Sequence, residues 1–360
     1  MVVLRQLQWQ HTIAVMPPLE QIGIVTTRSG VLILIDTGYL SMWSHDRVPE
    51  MPEGLLSSEE ATARANSFVD LRIVGADAER AGRSLDMSWN PFYIYDQPPT
   101  NAELRSKLDR LVNEQNLDAR FEVINPRIPH RQRVDLAIEE GKGAGEVQFH
   151  GVWAVAVGGV PIEEPLRVMG ERSDEQNPDR WRRVIVQCRP NQRCVQSHEV
   201  GLVGVDYARI LIADVDVLGI WKHEESLDGL ADFLFWGRDA ERIAAALKAP
   251  RVGNGEFGWV DVPIETAERN GTAVQKHRDE NSLKVAVDYR PHSHHWQVMK
   301  PVRENNPTES STTELGGQKV CNFMTTWGDG LFQVYRDLAG SGELIQIRIE
   351  METMPTASVR

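Results

Sequence analysis

Apolar residues along this chain fall in short runs broken by turn residues. IGIV (22–25), VLILID (31–36), LRIVG (71–75), FYIY (92–95), FEVI (121–124), VWAVAV (152–157) and VIVQ (184–187) are rich in β-branched residues. Their length and their Gly, Pro, Asp and Ser borders predict strands. A second series follows: VGLVG, ARILIADV, DFLFWG, GWVDV, KVAVDY, HWQVMK, FQVYRD and LIQIRIE. Helical spacing is rarer. LRSKLDRLVNEQN (104–116) repeats its apolar residues every three or four positions, AERAGRSL (78–85) and AERIAAALK (240–248) each follow an Asp that can cap a helix, and SSEEATARAN is a fourth candidate. Many strands with isolated helices predict an α+β fold, β-rich and built mostly of antiparallel sheet. PTESSTTELGGQK (307–319) is polar throughout and is expected to be a mobile loop.

The two series are related. DTGYLSMWSHD (36–46) and DVDVLGIWKHE (214–224) share Asp, Leu, Trp and His at the same spacing, 178 residues apart. DLRIVGADAER (70–80) aligns with DFLFWGRDAER (232–242), FYIYDQP (92–98) with FGWVDVP (257–263), and the Pro-His pair 129–130 with 291–292. HGVWAVAV (150–157) can be laid on DGLFQVYR (329–336). A collinear series of this kind predicts two tandem copies of one domain, residues 1–190 and 191–360, in a pseudo-two-fold arrangement.

Composition narrows the function classes. The formal net charge is −13 and hydrophobic residues make up 41% of the 360. A negative field repels phosphate backbones, so nucleic acid is not an expected partner. The only basic candidates are RIPHRQR (127–133) and RWRR (180–183), both with acidic neighbours. No apolar run approaches the ~20 residues that span a bilayer, and the opening MVVLRQLQWQHTIAV is interrupted by Gln, Trp and His, so neither a membrane segment nor a secretory leader is expected. The expected location is cytoplasmic. Three cysteines, without zinc-site spacing, are expected to be reduced thiols. Neither GxGxxG nor GxxxxGK[ST] occurs, nor does GxSxG.

Two residue sets could carry chemistry. The first is the repeated Asp36, Trp43 and His45 with Asp214, Trp221 and His223, a binding set written once per copy. A packing role competes with it, because residues kept in both copies serve the fold by default and Trp is a common core anchor. The second is a metal set. PHSHHW (291–296) is the densest His cluster; in a strand, His292 and His294 would face one side, and with Asp329 of the WGDG turn they would suit a divalent transition metal. His223 could join them, and Asp36, His45, His130 and His150 are their counterparts in the first copy.

WGDGLFQVYRD (327–337), with the closing GELIQIRIE (342–350), resembles the end of a bacterial domain-of-unknown-function family with the terminus GWGDG-x-Y-x-V-Y. The resemblance spans about 30 residues. It implies a bacterial, β-rich cytosolic protein and no assigned chemistry. The sequence therefore leads first to a non-catalytic binding protein, monomeric or homodimeric, of the immunity or defence-associated kind. A protein partner or small ligand would sit in the cleft between the copies. The alternative is a metal-dependent hydrolase whose His/Asp site lies in the second copy.

Overall fold

The computed structural model describes residues 19–51, 56–85, 91–162, 164–174, 176–304 and 306–352. The opening segment read above for a leader lies outside them. Eighteen strands, seven α-helices and two 3-10 helices are found among the described residues. In the first half the order is β1 (Leu19–Val25), β2 (Leu32–Asp36), a 3-10 helix (Thr37–Met42), α1 (Glu59–Asn66), β3 (Val69–Val74), α2 (Ala78–Ser84), β4 (Tyr93–Gln97), α3 (Ala102–Gln115), β5 (Arg120–Ile124), α4 (His130–Glu140), β6 (Ala144–Phe149), β7 (Val152–Val157), β8 (Leu166–Arg172) and β9 (Trp181–Gln187). The second half runs β10 (Gln196–Val205), β11 (Arg209–Asp214), a 3-10 helix (Val215–Ile220), β12 (Leu230–Trp236), α5 (Ala240–Leu247), β13 (Glu256–Pro263), α6 (Ile264–Glu280), β14 (Ala286–Pro291), α7 (His294–Arg303), β15 (Ser310–Leu315), β16 (Gln318–Met324), β17 (Gly330–Leu338) and β18 (Leu344–Glu350).

Two six-stranded antiparallel sheets form the centre, ordered β1-β8-β9-β18-β17-β10 and β15-β16-β11-β2-β7-β6. Both are shared by the halves, which meet at β9–β18 and at β2–β11. Alternate residues explain the packing. Leu32, Leu34, Ile210 and Ile212 point into the layer between the two sheets, with Val168, Val186, Phe332 and Ile347 from the other side. Ile33, Ile35, Leu211 and Ala213 point the opposite way, onto Val134 of α4 and Val298 and Val302 of α7. A strand buried on both faces must be apolar at every position, hence the unbroken LILI.

Each half adds a three-stranded sheet, β4-β3-β5 and β13-β12-β14. Helices α2 and α3 cover one face of the first, packing Ala81 and Leu108 on Ile73. Helices α5 and α6 cover the second, packing Ile243, Ala267 and Val274 with Phe233 and Phe235. The remaining faces look toward α4 and α7. The fold is therefore α+β and β-rich, with mostly antiparallel sheets, as the apolar pattern predicts.

Three local expectations are corrected. HWQVMK is part of α7, not a strand: Ser293 caps the helix by accepting from the Trp296 N–H at 3.2 Å, and Val298, Met299 and Val302 fall on one helical face. The segment 307–319 is not a loop. Its Ser- and Thr-rich run forms the edge strand β15, and Gly316 and Gly317, at φ 58° and 73°, make the turn into β16. Helices α4 and α6 are also present where no helix was expected. Their buried residues, Val134 and Ala137 in one and Ala267, Gly271 and Val274 in the other, are too few and too small to stand out against polar neighbours.

Candidate metal centre

The repeated Asp, Trp and His serve mainly the fold. Asp36 ends β2, and its carboxylate accepts from the N–H groups of Gly38, Asp206 and Tyr207 at 2.7–2.9 Å. Asp214 ends β11 and accepts from Arg28, Ser29 and Asp216 N–H and from the Thr27 hydroxyl. Each aspartate thus holds the turn between the first two strands of the other half and caps its own 3-10 helix. Burial raises the pKa of Asp36 despite its three bonds, whereas Asp214, with an added hydroxyl donor, is held below the usual carboxylate range against its burial. Trp43 is buried against Phe149 and His130. Trp221 is only half-buried and donates to His223 Nδ1 at 3.3 Å. His45 lies beside Asp46 with Nδ1 2.8 Å from its carboxylate.

The metal set is divided. His294 Nδ1 accepts from the Lys222 N–H at 2.8 Å, and Asp329 accepts from the Ala208 N–H at 3.0 Å in the turn before β17. His292 lies apart from both. Its Nδ1 is 3.0 Å from Asp228, and its Nε2 is 3.2 Å from Asp232 and 3.5 Å from Asp261. Asp232, Asp261 and His292 are the one group among the described residues whose ligand atoms cluster closely enough for a metal ion. Asp232 and Asp261 were not singled out from the sequence as chemistry. The available signal was the alignment of DLRIV with DFLFW and of YDQP with VDVP, which placed both acids in both series.

A bulge brings the acids together. Ala231 and Phe233 on β12 pair with Val262 and Trp259 on β13, so Val260 and Asp261 together oppose Asp232. Asp261 takes a positive φ of 51°, and its N–H donates to Asp232 Oδ1 at 2.8 Å. The same device occurs between β3 and β4. Tyr95 and Asp96 oppose Asp70, Asp96 has φ 55°, and its N–H donates to Asp70 at 2.9 Å.

The two acid pairs have opposite fates. In the first half, Arg133 of α4 donates to Asp96 at 2.8 Å and to Asp70 at 3.2 Å, and Arg127 reaches Asp96 at 3.0 Å. Arg133 is fully buried, and its bonds and charge hold Asp96 far below the usual carboxylate range against strong desolvation. RIPHRQR is therefore no basic patch. Arg127 and Arg133 are spent on this network, and Arg131 pairs with Asp135 and Asp216. Arg182 and Arg183 of RWRR likewise pair with Glu171.

Among the described residues of the second half no arginine side chain pairs with Asp232 or Asp261. Trp296 stacks on His292 at 3.8 Å between centroids, and its Nε1 donates to Asp232 Oδ2 at 3.1 Å. Lys300 lies 3.8 Å from Asp261. Asp228 orients the imidazole through Nδ1 and turns Nε2 toward the two carboxylates, the arrangement in which a histidine is held for a metal ion. Asp232 and Trp296 also line a pocket of about 380 Å³ between β12, β13, β14 and α7. The ligand set is one nitrogen and two oxygens, suited to a divalent transition metal with further positions left open.

The helix register also corrects the Pro-His alignment. His130 and His294 each begin a helix and accept, through Nδ1, from the N–H of Ser44 and Lys222 respectively. His130 is thus the positional counterpart of His294, not of His292. The chain matches no family model, no curated protein and no solved structure.

Proposed function

We propose that the chain is a tandem duplication whose second copy is a metal-dependent hydrolase, with the ion held by Asp232, Asp261 and His292. Duplication is supported by topology. Apart from α1, the elements of residues 19–187 recur in the same order in 196–350, and advancing each strand number by nine reproduces every strand pairing within a half. The observation that carries the function is the contrast between the acid pairs. Both pairs have one acid on a pocket, Asp96 in the first half and Asp232 in the second, but the first is neutralised by Arg133 and the second has His292 in its place. An ion there would lower the pKa of a bound water and polarise an anionic ester in the pocket.

The test is elemental analysis of protein purified without an affinity tag. About one equivalent of a divalent transition metal is expected, lost in Asp232→Asn and in His292→Ala with the fold retained. Metal content that is absent and cannot be restored by adding manganese, iron or zinc would end this reading. A second reading is a non-catalytic binding protein of the immunity or defence-associated kind, supported by one feature: a pocket of about 510 Å³ lined by both halves, from Glu79 and Glu140 to His198 and Arg336. Burial pushes Glu140 up to about 7 there. That reading keeps the bacterial, cytoplasmic assignment implied by the WGDG resemblance, and a native partner retained equally by Asp232→Asn would favour it.

A further inference from the structure

The second-half pocket is lined by the acids Glu224, Glu256, Asp288 and Glu304, and among them stand two histidines and an arginine whose donors are not all met. His223 and His295 both line the pocket and stack at 4.2 Å between ring centroids. Behind them Arg209 Nη2 lies 3.3 Å from His295 Nε2. Arginine can only donate, so His295 Nε2 accepts and its proton sits on Nδ1. That Nδ1 is buried without a partner, as is Arg209 Nε. Trp221 donates to His223 Nδ1, which leaves the His223 proton on Nε2, 3.7 Å from Glu224. Buried donors without acceptors cost about 1–3 kcal/mol each. Their arrangement makes sense for a ligand that only accepts.

Charge points the same way. Arg303 lines the pocket and has no carboxylate at ion-pair distance among the described residues, unlike Arg290, which pairs with Asp288 at 2.6 Å. Burial first, then the like charges of Arg290 and Arg209, hold the Arg303 guanidinium below its ordinary range, with Asp288 and Glu256 opposing them from longer range. Arg303 is thus a lining arginine without a direct counter-ion among the described residues. A tetrahedral oxyanion accepts several such bonds at once.

We propose that Arg303 and His295, with Arg209 behind them fixing the His295 tautomer, form an oxyanion subsite and that the ligand of this pocket is a phosphate monoester. The inference deepens the hydrolase reading and rests on it for the reaction, but the subsite uses none of the three metal ligands. The tests can therefore fail separately. Inorganic phosphate is titrated calorimetrically into chelator-treated protein and into protein reloaded with manganese. Phosphate should bind the metal-free protein with Kd on the order of 1 mM or tighter. Arg303→Gln and His295→Asn should each weaken it about tenfold, while Asp232→Asn leaves it within about twofold.

Arg303→Gln removes a crowded cation, so its melting temperature without phosphate should equal or exceed that of the parent. This shows that loss of binding is not loss of fold. Phosphate binding with no metal uptake under any condition would keep the subsite and reject the hydrolase. No phosphate binding by the parent, or equal binding by Arg303→Gln and His295→Asn, would overturn the subsite. Succinate binding as tightly as phosphate would overturn the ligand class.

Discussion

At the scale of residues, the histidines carry the sharpest expectation. Burial lowers His150 and His223 to about 4 from the ordinary 6.5, Arg209 adding to the effect at His223 and Asp96 opposing it at His150. His130 is driven well below its usual value for the same reason. In the unfolded chain these imidazoles take a proton near 6.5, but in the folded protein His150 and His223 resist it until about 4. The folded state therefore binds fewer protons in that window. Stability is complete above 6.5 and drains as pH falls toward 4, by up to about 1.4 kcal/mol per pH unit for each histidine. Urea midpoints measured between pH about 7 and about 5 should fall steadily. His150→Asn, which tolerates the positive φ of 49° at this position, should flatten the slope by about one proton. An unchanged slope would show that His150 titrates normally.

At the scale of elements, one β-bulge and one helix decide what an acid pair becomes. Both bulges turn two aspartates toward the helix that follows the next strand, α4 after β5 and α7 after β14. Where α4 supplies Arg133, the result is a buried ion network. Where α7 supplies Trp296 and Lys300, no such network closes the pair and Asp232 lines a pocket. Arg133→Met should cost about 3–5 kcal/mol, because it leaves Asp70 and Asp96 buried without their counter-charge. Denaturant unfolding would measure it. A loss below about 1 kcal/mol would mean that Arg127 alone neutralises the pair. The recurring D-x-P motif aligned Asp96 with Asp261 but announced no bulge, and β15 read as a loop; most other strands were legible from alternation. Helices α4 and α7 were not. Their sequences carry His, Arg and Trp at positions that read as hairpin or strand until the Ser293 cap and the sheet beneath are in place.

At the scale of the whole molecule, the halves are joined by backbone. Strands β2 and β11, and β9 and β18, pair across the midline, and Asp36 and Asp214 each hold the opposite turn. A half expressed alone would expose two strand edges that its counterpart normally covers. Residues 191–360 alone should therefore form a homodimer, with two copies of β11 and of β18 paired about a true two-fold. Light scattering after size-exclusion chromatography checks this. A folded monomer would show that the shared sheets are dispensable. Among the described residues no helix is long and apolar enough to cross a membrane.

The sequence by itself determined the elements that depend on local pattern. The strands buried on both faces, the α+β class and the recurrence of Asp36 at Asp214 all follow from period, turn residues and spacing. It also marked His292 as a residue to watch. Tertiary structure alone decided the rest, because the deciding contacts join residues far apart in the chain. Asp228 and Asp232, Asp261, and His292 lie on three separate stretches and meet only through the bulge of β13 and the end of β14. His294, two residues from His292 and equally prominent as a letter, is turned by the helix cap toward Lys222. Whether an aspartate pair is a buried strut or an open site depends on which side chain a distant helix brings to it. No local pattern encodes that.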